Sequence, residues 1–304
     1  MSFHIILLSL STIIWGFGFV AARLTFESYD PFWAHGLRFI LAALFGLPIM
    51  FYFKSFTKKN TPWKEGFIAA IFLFGTLIFQ TVGLSYTTVA KSGFITTLYS
   101  FFVPMTMMIL YKKKFHASFW GLVLMAILGV SLLCNLEFND LNYGDFLMLI
   151  CSLFASFHII YIGKVAPHVP SPVELNLIQN VFMGIMGVLL ALVVKGPVHL
   201  HPLLDFKSHT FLGLMFLSLI SSLIAFSIQV VAQKRIPSHI AGLIFLLESP
   251  FAALFGYLIF HEKLNMMSCI GAGLILLSVV LVPVLGREVT TPIKEGHPKK
   301  TKKT

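Results

Sequence analysis

Glu248 stands in an apolar run, IAGLIFLLESPFAALFGYLIF, two residues before Pro250. If that run crosses a membrane, a carboxylate near its middle costs about 2.5–3.5 kcal/mol and must face protein or water. A carboxyl so placed could couple proton movement to transport or capture an amine; a neutral acid bonding a neighbouring helix is the plainer alternative. Arg38 lies in a second apolar run and could receive an anionic group, act as a gate, or snorkel outwards to pair with Glu27 or Asp30. Gln80, Tyr99, His158, Tyr161 and Gln229 add polar heads to other apolar runs. Trp15 and Phe19 are one turn apart and share a helix face. Phe245 aligns with Tyr99 when the chain is slid over itself by 146 positions. Taken together these residues are expected to line a cavity, although each alone is as well explained by core packing. Pro104 and Pro250 should break their helices and free the carbonyls of Ser100 and Leu246.

Other clusters are less promising. His199, His201, Asp205 and His209 gather in one segment and could in principle hold zinc or copper. The segment is short and Pro-rich, so exposed polar residues without a metal are expected. Cys134, Cys151 and Cys269 have no CxxC spacing and are expected to pack as apolar residues. No GxSxG elbow, HExxH helix or Walker A lysine loop occurs. No catalytic residue and no cofactor is therefore assigned, and the soluble segments are too short for an ATPase.

The elements that must position these residues are membrane helices. Of 304 residues, 57% are hydrophobic and 11% charged, against about a quarter charged in soluble proteins. Apolar blocks occur at 4–26, 31–53, 66–86, 93–111, 117–134, 143–164, 173–194, 210–232, 240–260 and 267–286. Each approaches the roughly 20 residues that cross a ~30 Å hydrocarbon layer. In lipid the backbone must satisfy itself, so the blocks are read as helices and the chain as an all-α integral membrane protein. The first block lacks a basic residue before it and a convincing cleavage site, and is read as a retained helix.

The net charge of +10 is distributed by topology, not as a nucleic-acid patch. With the N-terminus inside, Lys54, Lys58, Lys59, Lys64, Lys112, Lys113, Lys114, Lys164, Lys234, Arg235 and six basic residues of the tail are cytoplasmic. Only Lys91, Lys195, Lys207 and Lys263 fall outside, so both termini are expected in the cytoplasm. The segment 287–304 reads as a basic, disordered cytoplasmic tail.

Partial self-matches divide the chain into 1–135 and 143–286. At offset 141, Pro31 falls on Pro172 and Arg38 on Gln179; at 146, Ser92 falls on Ser238 and Pro104 on Pro250; at 150, Gly121 falls on Gly271. Five spans in each copy force opposite orientations. The expected fold is ten transmembrane helices as two inverted five-helix repeats, an arrangement typical of secondary transporters.

The stretches WGFGFVAAR, LRFILAALF, TTVAKSGFITTLYSFFVP, RIPSHIAGLIFLLESPFAALFGYLIFHEKL and GAGLILLSVVL resemble the EamA family of the drug/metabolite transporter superfamily. The resemblance runs over essentially all of residues 1–286. It implies ten helices, alternating access, and export or uptake of amino acids or similar small metabolites. Its departure is the Lys-rich turn from Lys112 to His116, which leaves Glu262 of the HEKL stretch unmatched in the first half. The expected setting is a bacterial-type cytoplasmic (inner) membrane, with a small-molecule substrate and the bilayer as partners and no nucleic acid. A membrane enzyme and a channel are the alternatives. The sequence leaves the oligomeric state open.

Overall fold

Helix α1 (Ser2–Thr25) and helix α2 (Pro31–Tyr52) are joined by a turn that ends at Asp30. The Asp30 carboxylate accepts from the Phe32 and Trp33 N–H groups, and Pro31 follows at the first helical position, where a missing N–H is harmless. This computed structural model describes residues 2–133 and 142–285. Cys134, Glu137, Asp140 and the basic tail lie outside the described residues.

The chain continues through α3 (Trp63–Leu84), α4 (Val89–Thr96), α5 (Tyr99–Tyr111), α6 (Ala117–Leu133), α7 (Tyr143–Val165) and α8 (Pro172–Lys195). Then follow α9 (His209–Met215), a π-helical stretch Phe216–Ala225, α10 (Phe226–Gln233) and α11 (Ser238–Ile244). A 3₁₀ turn at Phe245–Leu247 leads into α12 (Glu248–Phe260), and α13 (Met266–Leu285) ends the described chain. No strand occurs among the described residues. Eight segments are long and apolar enough to cross a membrane, counting Val89–Tyr111, His209–Gln233 and Ser238–Phe260 as one each. Ala117–Leu133 and Met266–Val282 are apolar but shorter. The protein is an all-helical membrane protein.

Its side chains support that conclusion. Ile109 is 72% exposed and Val193 84%, with Phe3, Leu124 and Val280 also on the outer surface. Such a belt would associate in water and is at home in lipid. Cys151 is fully buried, but Cys269 is exposed on α13. It is therefore not packed as expected: Cys269 shares an exposed part of α13 with Met266, Met267 and Ile270, where a thiol is apolar enough for lipid contact.

The main helix pairs each join an early helix to a late one: α2 with α8, α3 with α7, α6 with α13 and α1 with α12. Small residues allow the closest approach. A Cβ on Gly187 would lie 2.9 Å from Gly36 Cα, and one on Gly16 would lie 2.6 Å from Phe251 Cβ.

Turns 26–30, 85–88, 196–208 and 261–265 share one end of the bundle, called here the Glu27 end; turns 53–62, 166–171 and 234–237 share the other, the Lys58 end. At the Glu27 end His209 Nδ1 meets Glu27 Oε1 at 3.2 Å, and Tyr29 donates to the His199 carbonyl. At the Lys58 end the buried Ser55 hydroxyl donates to Glu174.

Candidate functional site

A cavity of about 60 Å³ lies at mid-bundle. By volume it holds a few water molecules and no metabolite. Trp15 and Phe19 of α1 form one wall, with Trp15 packed against Phe226 at 4.9 Å and Phe245 at 5.2 Å between ring centres. Gln80 enters from α3, His158 from α7 and Gln229 from α10. Tyr99 and Glu248 face the cavity from the two places where spanning segments are interrupted.

The interruptions lie before the prolines, not at them. The first is at Thr97–Leu98 and the second at Phe245–Leu247, whereas Pro104 and Pro250 sit inside α5 and α12 and do not line the cavity. Proline removes an N–H and crowds the turn on its N-terminal side, so the distortion appears upstream. The carbonyl that finds a new donor is accordingly Phe245, one residue before the expected Leu246. The Tyr99 hydroxyl donates to it at 3.0 Å and stands 3.2 Å from Glu248 Oε2.

Arg38 contradicts its expected pairing. Asp30 caps α2 and Glu27 holds His209, so neither acid is available to it. Arg38 is 6% exposed and turns inwards, with Nε donating to Ser222 Oγ and Nη2 to Ser221 Oγ, both at 2.8 Å. The guanidinium lies 5.0 Å from the Phe39 ring centre and faces the same cavity as Glu248. Among the described residues Arg38 forms no ion pair, and its Nη1 has no hydrogen-bond partner.

The π-helical stretch explains that position. Widening the helix takes backbone carbonyls out of the usual ladder, and in lipid they need other donors. Asn176 Nδ2 of α8 reaches the Ser222 and Leu223 carbonyls at 3.0 and 3.1 Å, and Asn180 Nδ2 reaches Ser222 O at 3.3 Å. Gln179 of the same helix donates to Asn176 Oδ1 and lies 3.0 Å from His158 Nε2. A continuous polar chain thus runs from His158 through α8 and the π stretch to Arg38. Asn176 and Asn180 were missed as site residues by sequence reasoning, and Gln179 entered only as the alignment partner of Arg38. Their signal was available: amides at i, i+3 and i+4 in an apolar span are expensive unless they have buried partners.

Tyr161 does not line this cavity. It is one turn beyond His158, half-buried near Phe72 and packed with Ile162, Ala166 and Val230. Three residues advance a helix by about 4.5 Å on much the same face, so the difference is one of depth.

Polar contacts tie elements together towards both ends of the bundle. At the Glu27 end Glu262 accepts from the Val89 and Ala90 N–H groups at 2.8 and 3.0 Å and from Arg23 Nη1 at 3.3 Å. A carboxylate at the start of α4 suits the positive end of the helix dipole. Lys91 Nζ contacts Asp145 Oδ2 at 2.6 Å beside it. Towards the Lys58 end Gln233 Nε2 and Ser238 Oγ both donate to the Ile159 carbonyl.

The sequence matches the EamA-like transporter family over residues 2–135 and 142–283. The chain belongs to the EamA-like transporter family. A relative from Archaeoglobus fulgidus, described as an uncharacterized transporter, is 31% identical over 277 residues, 90% of this chain and 84% of its own. A crystal structure of another protein superposes with a TM-score of 0.70, covering 92% of this chain and 96% of that one at 17% identity; at that identity the likeness establishes the fold. As an EamA-family member the chain is a multi-pass membrane protein of the transporter type. Glu262, unmatched between the halves in sequence, has its role in this EamA chain as the cap of α4.

Proposed function

We propose that this chain is a secondary transporter of zwitterionic small metabolites, amino acids with apolar side chains foremost, working by alternating access. The observation that carries the reading is that Arg38 and Glu248, of opposite charge, face one cavity with aromatic walls and do not pair with each other. A substrate carboxylate would meet the free Nη1 of Arg38, its ammonium would meet Glu248, and its side chain would lie among Trp15, Phe19 and Phe245. Two polar atoms support this: Trp15 Nε1 and Gln229 Oε1 are buried without a hydrogen-bond partner. Buried polar atoms left open in this way are expensive unless something else occupies them in part of the cycle.

In this reading ten helices form two inverted five-helix repeats. Ala117–Leu133 crosses although it spans only about 25 Å, by thinning the bilayer around it. The element bounds support the inversion. Val89, Tyr99 and Ala117 open helices whose counterparts open at Ser238, Glu248 and Met266, each 149 residues later. By that register Tyr99 pairs with Glu248, whereas the 146 of the sequence identities pairs it with Phe245. Pairing of early with late helices lets one repeat rock against the other about the cavity. The lysine distribution supports a bacterial-type cytoplasmic membrane orientation with both termini and the Lys58 end inside. Glu248 then binds either a proton or the substrate ammonium, which links the two.

The test is counterflow in proteoliposomes loaded with unlabelled L-phenylalanine, with labelled L-phenylalanine outside. Transient accumulation is expected for the wild type, and at least a tenfold loss for Arg38→Gln. Equilibration without overshoot, as a channel would give, overturns the proposal.

A further inference from the structure

His35 is 1% exposed, and neither of its ring nitrogens has a hydrogen-bond partner. It lies one turn before Arg38 on α2, towards the Glu27 end, between the rings of Phe39 and Phe74 at 5.1 and 5.2 Å. A neutral imidazole carries one N–H donor and one acceptor, and burying both unpaired has a cost that packing alone does not explain. A second crevice lies at this ring, too tight in this conformation to admit even one water molecule, so a ligand enters it only when the helices around it part. Its lining includes His35, Arg38, Thr25 and Thr81, and Arg38 is the wall it shares with the central cavity. The Thr25 and Thr81 hydroxyls each donate to a carbonyl of their own helix, at 2.6 and 2.7 Å, so they offer no proton to a ligand. The donors left in the pocket are the imidazole N–H and the guanidinium. Among the charged groups of the described residues Arg38 alone faces His35, and the acid that faces Arg38, Glu248, does so from the central cavity and does not line this crevice.

We propose that His35 and Arg38 form a second anion station, in which a ligand carboxylate moves from the central cavity to the imidazole N–H on its way past the Glu27 end. The station rests on the zwitterion reading for its place in transport, but not for its chemistry. It binds a carboxylate and has no partner for an ammonium. Arg38 keeps hold of the carboxylate during the step, because it borders both pockets. Its Nε and Nη2 stay on Ser222 and Ser221 while Nη1 serves either side.

The probe is radiolabelled 3-phenylpropionate, a carboxylate without an ammonium, bound to the purified full-length chain by scintillation proximity. L-phenylalanine binding is measured in parallel. Wild type should bind 3-phenylpropionate saturably, and Glu248→Gln, which removes an acid and no donor to the carboxylate, should not weaken that affinity. His35→Leu should weaken it at least tenfold, while His35→Gln, which keeps an N–H donor, stays within threefold of wild type. If the Leu variant does not yield a monodisperse protein, His35→Phe, with a ring and no N–H, decides and should show the same tenfold loss. L-phenylalanine affinity should remain within threefold in the His35 variants. Equal binding by wild type and the variants without an N–H overturns the proposal, as does no binding by wild type. Parallel loss of both ligands overturns it too, because His35 would then only support Arg38. Failure of the central reading is separate: Glu248→Gln would bind L-phenylalanine as wild type does, whatever the His35 variants do.

Discussion

Tyr99 and Glu248 meet at 3.2 Å, hydroxyl to carboxyl oxygen, at the first positions of α5 and α12. The same hydroxyl is 3.0 Å from the Phe245 carbonyl and has one proton to donate. When Glu248 is protonated, it can donate to Tyr99 while Tyr99 donates to Phe245. When Glu248 is ionised, the hydroxyl has a stronger acceptor in the carboxylate, and the Phe245 carbonyl loses its side-chain donor and keeps the Glu248 backbone N–H. The charge state of the acid is thereby tied to the backbone at the helix interruption.

Tyr99→Phe removes that tie. The Phe245 carbonyl keeps the Glu248 backbone N–H as a donor, so the loss is that of one hydrogen bond, about 0.5–1.5 kcal/mol. The expected result is a lower unfolding midpoint in detergent and slower pH-driven uptake. The double variant Tyr99→Phe, Glu248→Gln should be no worse in uptake than Glu248→Gln alone, since the two act through one contact. Additive losses in the four-variant cycle would show that they act independently.

Gly187→Val should damage the α2–α8 contact. Any Cβ there meets Gly36 Cα at 2.9 Å, and this neighbour is backbone, unable to swing away. Overpacking of this kind costs about 1–3 kcal/mol. Gly121→Ala is the control, because nothing lies within 4 Å of its new Cβ and alanine favours a helix by about 1 kcal/mol over glycine. Fluorescence-detected thermal stability should fall for the first and hold or rise for the second. A stable Gly187→Val protein would mean that α2 and α8 are not packed this closely.

The proposed orientation is tested by single cysteines at Asn60, Asn139 and Ser208 in a version lacking the three native cysteines. An impermeant thiol reagent applied to intact cells should label the Asn139 and Ser208 positions and leave Asn60 unlabelled. Labelling at Asn60 would reverse the orientation and with it the direction assigned to the His35 station.

The helices were legible because lipid enforces block length: each apolar run lies on a helix or helix pair with ends shifted by a few residues. The cavity was legible through residue type, since Trp15, Gln80, His158 and Glu248 are costly or bulky in a span and all face it. Of the readings open to Arg38, the pairing with Glu27 or Asp30 fails because those acids already serve Phe32, Trp33 and His209. Its real partners, Ser221 and Ser222, are common residues in membrane helices, and only the π-helical widening turns them towards it. Tyr161 was misread because a periodicity argument gives the face of a helix but not the depth at which a cavity ends. The prolines marked the interrupted segments correctly, but the chain gives way upstream of the ring.

Glu248→Gln is the decisive substitution. Glutamine is nearly isosteric and still offers hydrogen bonds to Tyr99, so the fold should survive, but it cannot ionise. If proton and substrate share Glu248, an imposed pH gradient drives wild-type accumulation of L-phenylalanine and drives none in the variant. A pure coupling role spares exchange between equal concentrations on the two sides. A role in holding the ammonium also weakens L-phenylalanine binding, by roughly tenfold or more for a charge-assisted hydrogen bond of about 1.5–3 kcal/mol. The two roles separate when uptake under a pH gradient and exchange without one are measured on the same proteoliposomes. Binding of 3-phenylpropionate reports the His35 and Arg38 station and should not weaken in this variant. If Glu248→Gln accumulates L-phenylalanine as the wild type does, Glu248 only joins α5 to α12, and neither proton nor ammonium is exchanged there.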